Sequence, residues 1–263
     1  MKPDDTTISS ILFHPRPEYA GFVPGGIRTI TISGSAKIGG YLHLHPTSET
    51  LLLFFHGNGE LAADYDDIAS FFIDSDVSFW IVDYRGYGRS SGLPAYSLMF
   101  EDATALIDDI PRMARAVART FRYIVVMGRS LGSASAIYLA SRHASKLSGL
   151  ILDSPYANGL ELIYRLSGIA INRQNMPGFM DNIDLMRTVS LPTLIIHGTV
   201  DRIIPISDAR ALYDACTDKM RCLVEIDGAG HNDLMLRGAD RYWSAIRKHI
   251  MQTIPTQNHY LKR

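Results

Sequence analysis

The chain has 263 residues, 46% apolar and 20% charged, with Lys+Arg 26 against Asp+Glu 27 and a net charge of -1. That length sustains a sizeable buried core, and a near-neutral balance without a basic block excludes the electrostatic footprint of a nucleic-acid binder. The two cysteines, Cys216 and Cys222, are close in sequence but require no disulfide, and such sparse use fits a reducing compartment.

Residues 1–27 carry Pro3, Pro15, Pro17 and Pro24 with paired Gly25 and Gly26, which reads as an extended arm over the surface. The start is polar, without the basic and apolar stretches of a signal peptide, and has Lys2 where N-myristoylation would need glycine. The strongest apolar run, residues 51–55, is far too short to span a bilayer. The expectation is a soluble cytoplasmic protein with no membrane span. Residues 28–33 and 37–45 alternate apolar and polar around Gly34 and Ser35, which predicts a hairpin at a sheet edge.

From residue 50 the pattern changes to short apolar runs without alternation, as in parallel strands buried on both faces. Such strands are predicted over 51–55, 78–82, 123–127, 149–152, 193–196 and 222–226. Helical spacing fills the gaps, over 61–73, 98–117 (with a break or kink at Pro111), 133–140, 206–215 and 234–251. Alternating strands and helices after a leading hairpin predict a single α/β domain, a mostly parallel sheet flanked by helices. One stretch departs from the rhythm. Residues 156–188 exceed one crossover helix, look helical over 160–171 and loop-like over 172–178, and leave from a strand end, so a small lid is expected there.

The strand over 123–127 runs into Gly128-Arg129-Ser130-Leu131-Gly132 and then a small-residue helix. Strand, G-x-S-x-G and helix form the context of a nucleophile elbow. The turn leaves no room for a side chain at either flanking position, and it lifts the Ser130 hydroxyl above the strand end. A serine hydroxyl needs a base to take its proton, and a histidine base needs a carboxylate to fix its tautomer. On such a sheet these partners follow in the order Ser, Asp, His, each on a loop after a strand. Asp201 and His231 meet that requirement, after the strands at 193–196 and 222–226. Rival readings stand beside them. Asp201 also suits a cap for the helix at 206, and Asp153, at another strand end, is a second candidate acid whose favoured role is to orient the loop after it. Backbone N–H groups of Leu131 and Asn58 are the candidate oxyanion donors. Since Asn58 would act through its backbone, Asn58→Ala is expected to cost little and Asn58→Pro much. His56 is read as a brace for its loop, and Arg129 as either an anion contact or the partner of a loop carboxylate. His43 and His45 alternate on a strand but lack a third ligand, so neither a metal nor a cofactor is expected.

The ordered pieces Phe13-His14-Pro15-Arg16-Pro17, His56-Gly57-Asn58-Gly59, Asp83-Tyr84-Arg85-Gly86-Tyr87-Gly88, Gly128-Arg129-Ser130-Leu131-Gly132 and Gly228-Ala229-Gly230-His231 span nearly the whole chain. With them the chain resembles the α/β-hydrolase superfamily, and within it the Bem46-like, serine aminopeptidase S33-like hydrolases. The resemblance implies Ser130 as nucleophile, Asp201 as acid and His231 as base. It also implies that Asp83 and Arg85 form an ion pair bracing their loop. Some relatives remove fatty acyl groups from protein cysteines and carry a membrane helix or lipidated cysteines at the N-terminus. The reading that follows is a serine hydrolase of carboxylesterase or thioesterase type, acting on a small-molecule acyl ester or thioester through an acyl-enzyme. The alternatives are a peptidase or amidase on the same residues, or a non-catalytic ligand-binding protein on a hydrolase fold.

Overall fold

The computed structural model describes residues 5–172, 174, 179 and 181–254. Among them, eight strands form one sheet in the order β1-β2-β4-β3-β5-β6-β7-β8. The strands are β1 (Ile27–Ser33), β2 (Ala36–His43), β3 (Thr50–Phe55), β4 (Ser78–Val82), β5 (Tyr123–Arg129), β6 (Gly149–Asp153), β7 (Thr193–Gly198) and β8 (Cys222–Ile226). The β1–β2 hairpin is antiparallel, β2 joins β4 antiparallel, and every pairing from β4 to β8 is parallel. This is the mostly parallel sheet with a leading hairpin expected above. Every residue of β3, β4, β6 and β7 is buried, which is why those segments read as unbroken apolar runs rather than alternating ones.

The helices are α1 (Asp5–Leu12), α2 (Ala69–Ile73), α3 (Tyr96–Ala116), α4 (Ser133–Arg142), α5 (Gly159–Ser167), α6 (Asn182–Met186), α7 (Ile206–Ala215), α8 (Leu234–Arg237) and α9 (Ala239–Thr253). Among the described residues, no helix is long and apolar enough to cross a membrane.

Four expectations need correction. The N-terminal arm is not wholly extended: α1 forms, burying Ile8 and Leu12, and packs against α3 and α5. Its Ser9 hydroxyl accepts a hydrogen bond from the Tyr96 N–H at the start of α3 (3.0 Å). The helix expected over 61–73 divides into a 3₁₀ turn, Ala62–Tyr65, and the short α2. The Asp64 carboxylate accepts from the Leu61 N–H, a local bond that favours a tight turn over a continued helix. Helix α3 continues through Pro111, so of the break or kink expected there the break does not occur. Its buried stripe, including Leu106, Ile107, Ile110 and Met113, holds the helix on the sheet on both sides of the proline. The closing helix divides at Gly238, whose backbone (φ -121°, ψ 29°) leaves the helical region, and a Cβ there would stand 2.5 Å from Ile226 Cγ2 of β8. Most of the predicted loop at 172–178 lies outside the described residues.

Candidate active site

The sheet order reverses direction between β3 and β5: from β3 the chain steps outward to β4 on one side, while β5, β6, β7 and β8 run outward on the other. In open parallel sheets that reversal opens a crevice beyond the carboxyl ends of the strands. The loop after β3 carries Asn58, β5 runs directly into Ser130, the loop after β7 carries Asp201, and the loop after β8 carries His231. Residues far apart in sequence therefore converge at one end of the sheet.

Ser130 adopts φ +51°, a left-handed conformation that costs a non-glycine residue energy. The surroundings enforce it. A Cβ at Gly128 would stand 2.3 Å from the Gly132 carbonyl oxygen, and one at Gly132 would stand 2.1 Å from the Phe55 carbonyl oxygen. Both flanking glycines are thus required by close backbone approach, as the sequence predicts. The Ser133 hydroxyl donates to the Ser130 carbonyl (2.6 Å), closing the turn into α4.

The structure brings three of the predicted residues into one hydrogen-bonded chain. His231 Nε2 lies 2.9 Å from Ser130 Oγ, and His231 Nδ1 lies 2.6 Å from Asp201 Oδ2. With Nδ1–H donating to the carboxylate, Nε2 is left as the acceptor facing the hydroxyl. Asp201 Oδ1 accepts from the backbone N–H groups of Ile203 (2.8 Å) and Ile204 (2.9 Å). Burial opposes the ionisation of Asp201. Hydrogen bonds from His197, His231 and the Ile204 N–H outweigh it and hold the carboxyl far below the usual range. The acid is therefore ionised wherever a histidine base could work. Asp201 does not cap α7, whose N-cap position is Pro205; its Oδ1 instead closes the turn over Ile203 and Ile204 that precedes the helix.

Asp153 is placed otherwise. It is buried at the end of β6, accepting from the Tyr242 hydroxyl (2.8 Å) and the Ser154 hydroxyl (2.8 Å). His56 is fully buried, with Nδ1 2.7 Å from the Gly57 carbonyl oxygen and Nε2 3.4 Å from Asp83 Oδ1, in keeping with a brace. The expected Asp83–Arg85 ion pair does not form. Asp83 accepts from the Ala62 N–H (2.8 Å), while Arg85 reaches Asp102 on α3 (2.7 Å). An acidic residue on an adjacent helix is invisible to a reading confined to one loop. His43 and His45 face Asp66 and Asp76 separately, each at 3.4 Å. Cys216 is buried, Cys222 exposed, and both are free thiols.

Arg129 pairs with a loop carboxylate, one of its two sequence readings. Its Nη1 lies 3.0 Å from Glu60 Oε1, and its Nη2 donates to the His231 carbonyl (2.9 Å) and to Asn232 Oδ1 (3.0 Å). Glu60 Oε2 in turn accepts from the Gly57 N–H and the Tyr65 hydroxyl, both at 2.7 Å. Burial opposes charge on Glu60, but Arg129, His56 and these donors keep its carboxyl below the ordinary range. One guanidinium thus ties the strand before Ser130 to the loop of Asn58 and the loop of His231.

Sequence reasoning missed the N-terminal contribution. The His14 N–H donates to Asn58 Oδ1 (2.9 Å), Asn58 Nδ2 lies 2.8 Å from His14 Nδ1, and the Tyr87 hydroxyl also donates to Asn58 Oδ1 (2.8 Å). Arg16 Nε donates to the Gly59 carbonyl (2.7 Å). The Asn58 side chain therefore anchors its loop, so Asn58→Ala will not be as mild as a backbone-only role implies. Only the proline-rich composition around Phe13-His14-Pro15 signalled that this segment lies fixed on the surface.

Ser130, His231, Asn58 and Leu131 line one cavity of about 190 Å³. Its apolar wall is made by Leu12 of α1, Leu162 and Leu166 of α5, and Ile203. Helix α5 is fastened at its base: Asn158 caps it by accepting from the Glu161 N–H (3.0 Å), and Arg165 pairs with Asp208 of α7 (2.9 Å). Among the described residues, no group of three His, Cys, Asp or Glu side chains could hold a metal ion.

The family described as serine aminopeptidase, S33, matches residues 46–173. The alpha/beta hydrolase domain-containing protein 17B of Xenopus tropicalis is 30% identical over 218 residues, covering 81% of this chain and 70% of that protein. Its Homo sapiens counterpart is 30% identical over 224 residues, with the same coverage. The chain belongs to the α/β-hydrolase superfamily, in its serine aminopeptidase S33-like family. The fold of this hydrolase is also that of the Pyrococcus furiosus esterase Pf2001, with TM-score 0.75 and 16% identity over 90% of this chain and 98% of that one. Est1E of Butyrivibrio proteoclasticus, solved with ferulic acid, matches with TM-score 0.65 and 19% identity over 86% of this chain and 98% of that one.

Proposed function

We propose that this hydrolase cleaves carboxylic esters or thioesters through an acyl-enzyme on Ser130, with His231 as base and Asp201 as its orienting acid. The observation that carries this reading is the continuous chain Ser130 Oγ–His231 Nε2 (2.9 Å) and His231 Nδ1–Asp201 Oδ2 (2.6 Å). Ser130 Oγ attacks the acyl carbon and its proton passes to His231 Nε2. The tetrahedral oxyanion is held by the backbone N–H groups of Leu131 and Asn58. Leu131 lies in the first turn leading to α4, where N–H groups lack intrahelical acceptors and the helix dipole favours negative charge. Collapse breaks the bond to the alkoxide or thiolate, which takes the proton from His231. Water then attacks the acyl-enzyme, giving one proton to His231 and releasing the carboxylic acid as that proton returns to Ser130. Residues 156–188 act in this scheme as a small lid within a single domain, with α5 beside the reacting carbonyl.

Ser130→Ala is expected to lose at least about 10⁴-fold in kcat on an activated ester, with unchanged circular dichroism and Tm. A fluorophosphonate is expected to label Ser130 alone. Wild-type turnover by Ser130→Ala would end the proposal. An amide substrate would need a polar subsite for a charged terminus. Leu12, Leu162, Leu166 and Ile203 make a wall suited to an acyl chain, and the charged groups that share the cavity, Glu60 and Arg129, are already paired with each other.

A further inference from the structure

We infer that this site takes a short-to-medium acyl group, and that Leu12 of the N-terminal helix is the residue that sets its length. The inference rests on Ser130 being the nucleophile and extends it to the substrate. The cavity at Ser130 is about 190 Å³. An apolar protein cavity of about 150 Å³ accepts benzene, so this space holds an acyl group of roughly four to eight carbons beyond the reacting carbonyl. Leu12, Leu131 and Leu162 are buried and form the inner wall, while Leu166 and Ile203 are exposed at the rim. The cavity has two sides: Leu12, Leu131 and Leu162 offer a chain only apolar contact, while Asn58, Glu60, Arg129 and Asn232 line the side toward the loops of Asn58 and His231.

Leu12 cannot move aside easily. The residues after it are fixed on both sides: Phe13 packs edge-on to Tyr84 (5.9 Å) and Tyr87 (6.5 Å), and His14 is bonded to Asn58. The residues before it are fixed by Ser9 on α3. A wall held at both ends works as a stop. The segment that carries the stop also anchors the loop of Asn58, so acyl length and oxyanion geometry are set by one stretch of chain from Ser9 to Arg16.

The test is a series of p-nitrophenyl esters from acetate to palmitate, run on wild type, Leu12→Ala and Leu12→Phe, with fluorophosphonate labelling and Tm measured for each. Each buried methylene should raise kcat/KM roughly fourfold until the chain meets Leu12, after which kcat/KM falls. Leu12→Ala should move the optimum to longer chains by about two carbons, and Leu12→Phe to shorter ones by a similar step. If Leu12→Ala does not fold, Leu162→Ala opens the same wall from α5 and is expected to shift the optimum in the same direction. A wild-type optimum at palmitate, or an optimum unmoved in folded, fluorophosphonate-labelled variants, overturns the inference and leaves the hydrolase reading intact. Absence of both labelling and turnover in wild type overturns the hydrolase reading itself.

Discussion

Arg129, next to the proposed nucleophile Ser130, illustrates how one residue can hold several loops of a site together. Its guanidinium is buried and shared between Glu60, the His231 carbonyl and Asn232. Removing one partner of a buried ion pair leaves the other charge uncompensated, which costs about 3–5 kcal/mol. Arg129→Met is expected to lower stability in urea unfolding by less than that, since Glu60 is only partly buried and keeps Gly57 and Tyr65 as donors. Arg129→Met combined with Glu60→Gln should recover a large part of the loss, because the orphan charge is then gone. Loss of the same size in the double variant would mean that the bonds to the His231 loop dominate. The sequence placed Arg129 beside Ser130 but could not choose its partner. That choice depends on Glu60, which is separated from it by 69 positions and brought near only because β3 pairs with β5.

At the scale of elements, the elbow and the parallel strands were legible for a clear reason. A strand buried on both faces must be apolar throughout, and a turn in backbone contact with its neighbour must be glycine, so both constraints are written in consecutive residues. Gly132→Ala is expected to cost at least about 3 kcal/mol, measured as a fall in Tm, because its Cβ would meet the Phe55 carbonyl rather than a side chain able to rotate away. Gly59→Ala is the contrasting case, with φ +72° but open space, so it should show only the cost of the left-handed backbone. Helix α1 was missed because the prolines at 3, 15, 17 and 24 around it dominate the composition of residues 1–27, whereas the burial of Ile8 and Leu12 depends on α3 and α5. The division of the 61–73 and 234–251 helices was missed for a similar reason. Local hydrogen bonding by Asp64 marks one boundary, and the non-helical backbone of Gly238 against Ile226 marks the other.

Across the whole molecule, acid stability has an identifiable contributor outside the site. His249 of α9 is buried against β6, and burial is the largest influence on it, pushing its pKa down from 6.5 to about 4 despite a hydrogen bond to the Leu150 backbone. Its native pKa lies below its unfolded one, so between about pH 6.5 and 4 the unfolded chain binds the extra proton. Stability then rises with pH across that window, by an amount on the order of 3 kcal/mol. The contribution is fully present above about pH 6.5 and lost by about pH 4. His249→Leu should flatten the dependence of urea midpoint on pH between those limits; an unchanged slope would mean that His249 takes up its proton equally in the folded and unfolded chains.

The sheet also separates its two ends in a way that is useful at the bench. Ser130, Asn58, Asp201 and His231 all follow strand carboxyl ends. Cys222, the exposed thiol of the two, is the first residue of the edge strand β8 and so lies toward the opposite end, while Cys216 is buried. A maleimide dye or spin label would therefore attach at one defined address without any cysteine having to be engineered. From there it would report tumbling, distance and unfolding of the native chain while leaving the end of the sheet that carries Ser130 and His231 unmodified.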